Sequence, residues 1–246
     1  MTVLAVMQPT YMPWLGYFDL IDQADHFVFL DDVQLARQSW QTRNRIRGAD
    51  GRELMLSIPV RHGGKLDIAL HEVELDDRQP WRLKHGRSVQ QAYARAPFGH
   101  AAAAIWTKAL ELQTGRLTGL TCASITQICS RVGITTPLAQ ASRFTTSADR
   151  IGHLIDLCRA TGADTYLSPP GASTYLTEAD AQARFAQAGI ALRFHKYDHP
   201  AYAQGPLDFM SHLGIVDALA HVGVEGMLAL IRSGRQPATR VAHLAA

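Results

Sequence analysis

The sequence predicts an α/β fold: a mostly parallel, Rossmann-like sheet with a β-hairpin and a helical insertion. Three observations lead there. Residues 2–7, 14–23 and 26–31 read as strand, helix and strand, an opening that favours a parallel pair joined by a right-handed crossover. The alternation resumes later, with strands at 136–142, 164–168 and 190–195 separated by helices at 149–161 and 178–188. Between the two stretches lies a block rich in Ala, Leu, Gln and Arg that reads as helix.

Each element has a local reason. Val3 to Met7 is a short apolar run of the size of a buried strand, and Leu15 to Ile21 opens a helical pattern. The second strand ends at Asp31-Asp32. Residues 41–47 and 53–60 flank the turn-rich Gly48-Ala49-Asp50-Gly51, as the arms of a hairpin do. Arg61-His62-Gly63-Gly64-Lys65 is a polar loop, and 68–75 alternates well enough for a further strand. After Pro80, segments 81–95, 101–114 and 117–132 read as helices, broken at Ala96-Pro97-Phe98-Gly99 and near Thr114-Gly115. Helix 149–161 ends before Gly162, and 178–188 stops at Gly189. Residues 214–221 and 224–232 read as two short helices. Residues 1–233 are expected to form one α/β domain, with 80–132 as a helical insertion packed on the sheet, because no Gly/Ser/Pro-rich tether separates it. Residues 234–246 read as a flexible tail.

Composition narrows the function classes. Of 246 residues 47% are hydrophobic and 19% charged, and 24 basic side chains nearly balance 22 acidic ones, so no global field recruits nucleic acid or a membrane surface. Cys122, Cys129 and Cys158 are isolated in apolar helical contexts, without the spacing of a zinc site or a disulfide framework, so a reduced cytoplasm is expected. The opening Met-Thr-Val-Leu-Ala-Val-Met lacks the basic region and apolar core of a signal peptide, and no stretch is long enough to span a bilayer.

Five clusters could carry chemistry. The first is Met7 to Phe18, a loop closing on a helix start, where backbone N–H groups face a ligand. Pro9 and Pro13 stiffen it, Gln8, Tyr11 and Trp14 supply contacts, and Gly16 allows close backbone approach. The second runs from Asp31 and Asp32 through Gln34, Arg37 and Trp40 to Arg43, Asn44 and Arg45. Adjacent carboxylates on a strand point to opposite faces, so one at most enters a cleft. If 43–47 is a strand, Arg43, Arg45 and Arg47 share a face: a comb for phosphate or carboxylate, or a solvated hairpin edge. Trp40 beside guanidinium groups suits a base or sugar ring. The third is His62 with its Gly-Gly loop and Lys65, able to close over phosphates, or simply solvated. The fourth, Tyr166 to Leu176, brings Ser168, Gly171 and Tyr175 to the same sheet edge as Gln8. The fifth, His195 to His199 with Tyr202 and Gln204, follows the last strand and is the best source of a general base. Asp31 and Asp32 lack partners at ligand spacing, so no metal site is expected and magnesium would arrive only with phosphate.

Several of these blocks together resemble the WbqC-like protein family. They are Gln8-Pro9, Pro13 to Asp19, Phe27 to Gln34, Ser39 to Ile46 with Ser57 to Val60, Tyr166 to Ser168 with Gly171 and Tyr175-Leu176, Gly189-Ile190, and Tyr202-Ala203-Gln204. The resemblance spans roughly residues 3 to 230. It implies association with bacterial surface-polysaccharide (O-antigen) gene clusters, and it carries no established reaction. Neither a Walker loop nor a Gly-x-Gly-x-x-Gly is present. The Pro13 to Tyr17 loop is similar in layout to nucleotidyltransferase-like and pantothenate-synthetase-like enzymes, but it keeps only Gly16 and lacks both of their histidines, which puts adenylate chemistry in doubt.

These readings lead to an enzyme that transfers an acyl or aminoacyl group to a nucleotide-linked amino sugar, with ATP or an acyl donor as co-reactant. Its catalytic candidates are His195, His199, Asp32 and His62. A glycosyltransferase, against which the absence of an isolated Asp-x-Asp argues, and a non-catalytic ligand- or partner-binding protein are the alternatives.

Overall fold

Val3–Met7 is apolar at every position, as a strand covered on both faces must be, and it lies inside a six-stranded sheet. In a computed structural model describing residues 1–61, 67–206 and 208–240, the chain runs β1 (Val3–Met7), α1 (Leu15–Asp22), β2 (His26–Phe29), a hairpin of β3 (Arg43–Arg47) and β4 (Glu53–Ser57), and a small pair, β5 (Val60–Arg61) with β6 (Glu74–Leu75). Helices α2 (Trp81–Ala92), α3 (Gly99–Leu110) and α4 (Leu117–Val132) follow. Then come β7 (Leu138–Gln140), α5 (Arg150–Ala160), β8 (Thr165–Ser168), one turn α6 (Ser173–Leu176), α7 (Ala179–Gln187), β9 (Ala191–Tyr197), α8 (Ile215–Ser233) and β10 (Arg235–Thr239).

The sheet order is β10-β9-β8-β1-β2-β7, parallel throughout except for β10 on β9. The chain moves outward from β1 through β2 to β7, then returns to the other side of β1 as β8. Strand order therefore reverses at β1, and the crevice at the carboxyl ends of these strands is where open α/β sheets take ligands. Alternation along the strands divides the core. Ala5, Phe27, Phe29 and Leu167 pack with Phe18, Trp106, Ile125 and Leu219 of the α1, α3, α4 and α8 layer. Leu4, Val6, Val28 and Tyr166 pack with Leu154, Leu157 and Phe185 of α5 and α7. The inserted helices α3 and α4 thus share one core with the sheet.

Three segments differ from expectation. Residues 68–75 give a 3-10 turn, Leu70–Glu72, and only the two-residue β6; the apolar spacing serves to bury Leu70, Val73 and Leu75 beneath a turn. The two short C-terminal helices are one element interrupted at Gly223, whose φ of 74° and ψ of 167° break the spiral where Phe98 packs so close that a Cβ would meet its ring at 3.0 Å. Finally, the segment after Gly234, expected to fray, begins as β10, antiparallel on β9 and fastened where Arg235 Nε donates to Asp19 Oδ1 at 2.8 Å and Arg235 Nη2 donates to Asp22 Oδ2. Among the described residues no helix is long and apolar enough to cross a membrane.

Candidate active site

A cavity of about 1090 Å³ opens at the carboxyl ends of β1, β2 and β8, slightly above the usual range for small-molecule sites. Met7, Gln8 and Thr10 leave β1, while Leu30, Asp32 and Gln34 leave β2. Ser39, Trp40 and Gln41 approach from the chain leading to the hairpin, and Pro169, Gly171 and Tyr175 follow β8. Arg150 and His153 of α5, with Thr146 in the segment just before it, complete the lining.

The two adjacent carboxylates divide as the strand geometry requires. Asp31 is fully buried and accepts from Gln140 Nε2 at 2.9 Å, Ser142 N at 2.9 Å and Ser142 Oγ at 2.8 Å, which ties β2 to the end of β7. Asp32 faces the cleft. Its Oδ2 lies 3.5 Å from His153 Nε2, while its Oδ1 and that same imidazole nitrogen are buried without a hydrogen-bond partner. Buried polar atoms are nearly always paired, so two unpaired ones on residues that line one cavity set this pair apart from the rest of the lining. The other imidazole nitrogen, Nδ1, is 2.7 Å from Thr146 Oγ1.

Opposite this pair, Gln41 Nε2 donates to Gln8 Oε1 at 2.6 Å, and Gln41 Oε1 accepts from Ala36 N and Ser39 Oγ. Gln8 keeps its amide N–H donors and one lone pair of Oε1 beyond this bond. Trp40 is half exposed, and its carbonyl accepts Tyr11 N at 2.9 Å, which binds the loop after β1 to the approach of the hairpin. Across the mouth, the Arg150 guanidinium lies 4.6 Å from the Tyr175 ring centre. Burial pushes the Tyr175 hydroxyl above its ordinary range, with Arg150 opposing. The cleft thus offers two aromatic surfaces, an amide pair, one cation and a carboxylate–imidazole pair.

The comparisons can be set on this geometry. The sequence pattern of the WbqC-like protein family matches residues 8–228, so the match begins at Gln8 of the cleft and ends within α8. The chain belongs to the WbqC-like protein family. A relative from Mycobacterium tuberculosis (strain ATCC 25618 / H37Rv), described as uncharacterized protein Rv1507c, is 32% identical over 227 residues, covering 92% of this chain and 96% of its own. No solved structure matches the chain.

In this WbqC-like protein, six of the residues read from the sequence line the cleft: Gln8, Asp32, Gln34, Trp40, Gly171 and Tyr175. The others among the described residues lie elsewhere, for definite reasons. Tyr11 is fully buried and shares a 2.8 Å hydrogen bond with His85 Nδ1. Asn44 Nδ2 donates to the Tyr11 and Met12 carbonyls, which holds the loop down rather than a ligand. Gly16 is where the Trp14 indole lies, and a Cβ there would meet it at 2.2 Å. Ser168 is buried, its hydroxyl donating to the Pro169 carbonyl. The arginine comb serves the chain itself. Arg45 pairs with Glu53 at 2.6 Å and reaches the Ser211 and His212 carbonyls, Arg47 bonds Gly51 O and Gln204 Oε1, and Arg43 lies off the cleft with its Nε buried and unpartnered.

His195 is buried against Asp19, Nε2 to Oδ2 at 2.8 Å, and does not reach the cleft. His199 stacks on Trp14 and sits 4.7 Å, centre to centre, from His212. Burial, and then the charge of His212, holds its pKa below the ordinary imidazole value. Tyr202 and Gln204 Nε2 both donate to the fully buried Asp217 Oδ1, at 2.7 and 2.9 Å, and so dock the loop after β9 on α8. His62 lies outside the described residues. The sequence reading missed His153, Thr146 and Arg150. The signal was present: the start of α5 follows a strand of the same sheet, as the other clusters do, but His153 and Arg150 fall within an ordinary helical pattern.

Proposed function

We propose that this WbqC-like protein is an enzyme of surface-polysaccharide assembly, transferring an acyl or aminoacyl group to the amine of a nucleotide-linked amino sugar in the cleft beside β1. The observation that carries this reading is the Asp32–His153 pair, which carries buried unpartnered atoms and lines a cavity of about 1090 Å³ at the switch point of the sheet. An amine that attacks an acyl carbon must lose a proton. An imidazole beside a carboxylate is built to take it, because the carboxylate orients the ring and stabilises the imidazolium that forms.

The remaining groups suit the rest of such a substrate. Trp40 and Tyr175 offer faces for the base or the sugar, Gln8 offers an amide edge held in place by Gln41, and Arg150 offers the cation that a diphosphate needs. Magnesium would accompany the phosphates, and the donor would be an activated acyl group or one activated by ATP.

The test is a thermal-shift panel of UDP-, GDP- and dTDP-linked amino sugars and ATP. A ligand at a hundred times its dissociation constant adds about 2.7 kcal/mol of stability. One member of the panel should stabilise the parent, and Trp40→Ala should lose that shift. Silence across the panel, or an equal shift in Trp40→Ala, would refute the reading.

A further inference from the structure

We infer that Thr146 is a covalent nucleophile of the cleft, carrying the acyl group as an ester before it passes to the acceptor. This rests on the acyl-transfer reading above and supplies its first half-reaction.

The geometry is that of a triad. Asp32 Oδ2 faces His153 Nε2 at 3.5 Å, and on the far side of the same ring Nδ1 meets Thr146 Oγ1 at 2.7 Å. A carboxylate on one nitrogen and a hydroxyl on the other is the arrangement in which an acid orients an imidazole and the imidazole takes the proton of a nucleophile; such sites are recognised by roles rather than by chain order. The Asp32 carboxylate 3.5 Å from Nε2 favours the tautomer with hydrogen on Nε2, and that tautomer leaves the Nδ1 lone pair for the Thr146 hydroxyl proton. At 3.5 Å the pair is longer than a hydrogen bond, and catalytic hydrogen bonds commonly tighten only when substrate binds.

Of the hydroxyls and thiols nearby, Thr146 is the one in contact with the His153 ring, and several others are engaged or buried. Ser147 donates its hydroxyl to Asp156 Oδ2 at 2.5 Å, and Ser39 donates to Gln41. Cys122, Cys129 and Cys158 are buried in the core, and burial pushes the Cys129 and Cys158 thiols up to about 12. Thr146 lines the cavity beside His153.

In the first half, Thr146 Oγ1 bonds the carbonyl carbon of an activated ester or thioester while its proton passes to Nδ1. The tetrahedral adduct then collapses, the bond to the leaving group breaks, and that group departs with the proton from Nδ1. In the second half, the acceptor amine bonds the acyl carbon and gives one proton to Nδ1. The ester C–O bond breaks, and the proton returns to Thr146 Oγ1.

The full chain is mixed with p-nitrophenyl acetate, the release of p-nitrophenolate is followed, and the acetyl group is located by peptide mass spectrometry. A burst equal to the protein concentration is expected, with acetyl on Thr146. Thr146→Val should abolish both, and Thr146→Ser should retain both. His153→Gln and Asp32→Asn should slow the burst roughly 100-fold or more. If the parent shows no burst, if acetyl maps elsewhere, or if Thr146→Val is acylated at the parent's rate, the hydroxyl merely positions the ring and the inference falls. Acetyl on Thr146 without a thermal shift from any nucleotide-linked amino sugar would uphold the nucleophile and refute the acceptor assigned above.

Discussion

Asp19 lies at the centre of a buried charge cluster. It is fully buried in α1, and its two oxygens accept from His195 Nε2 at 2.8 Å, Arg235 Nε at 2.8 Å and Gln23 Nε2 at 2.6 Å. Asp19→Ala would strand three donors. Breaking a buried ion pair from one side costs about 3–5 kcal/mol. Arg235 keeps Asp22 as a second partner, and about a third of its side chain is exposed, so the lower end applies: ~3 kcal/mol. In a chain of this size each kcal/mol moves Tm by about 2–4 °C, so a fall of about 6–12 °C is expected. Urea titrations of the parent, Asp19→Ala, Arg235→Met and the double variant measure the loss and the coupling, which should exceed about 0.5 kcal/mol for groups in contact. Asp19→Asn keeps the shape and one acceptor and should lose less. A loss under about 1 kcal/mol in Asp19→Ala would refute the argument. The thermal shift from the cleft ligand should survive in Asp19→Asn, since His195 serves this cluster and not the cavity.

Three further outcomes follow from the same geometry. Burial lowers the pKa of His85 from 6.5 to about 4, so protonation favours the unfolded chain; its contribution is intact above pH 6.5, declines as pH falls from 6.5 to about 4, and is level below. The loss across that window is about 3 kcal/mol, and the pH curve of parent minus His85→Gln isolates it; parallel curves would contradict it. Gly16→Ala drives a methyl into the Trp14 indole and should cost about 1–3 kcal/mol with a change in tryptophan fluorescence, as Trp14 leaves His199 and His212; an unchanged Tm would count against the packing. Arg150→Ala should weaken the cleft ligand by about 1.5–3 kcal/mol and Arg43→Ala should not, as read by calorimetry; the reverse order would move the anion site to the hairpin.

Much of the fold was legible because it is local. Apolar runs such as Val3 to Met7, the turn at Gly48 to Gly51 and the stop at Gly189 each determine their own neighbourhood, and the gap left at Val222-Gly223 between two expected helices is where α8 breaks. The strand Arg235–Thr239 escaped notice because Arg-Gln-Pro-Ala-Thr has no strand pattern; it is held by carboxylates more than 200 positions earlier in the sequence, Asp19 and Asp22. At the site, the rule that polar loops after parallel strands share an edge brought Gln8, Asp32 and Tyr175 together. It also swept in Ser168, Tyr202 and Gln204, whose polar groups are consumed by carbonyls and carboxylates of the chain itself. Spacing alone does not separate a side chain that fastens a loop from one that awaits a ligand.

The strand order has a consequence in time. β1 pairs with β2 within the first thirty residues, but its other edge waits for Thr165–Leu167, and Asp19 waits for Arg235. With synthesis at about 5–20 residues per second, roughly ten to thirty seconds separate the emergence of β1 from that of β8. Through that interval one of the most apolar strands in the chain has an open edge. The ribosome-bound chain therefore depends on slow, long-range closure, and the pairing of β1 with β8 should set the pace of its folding.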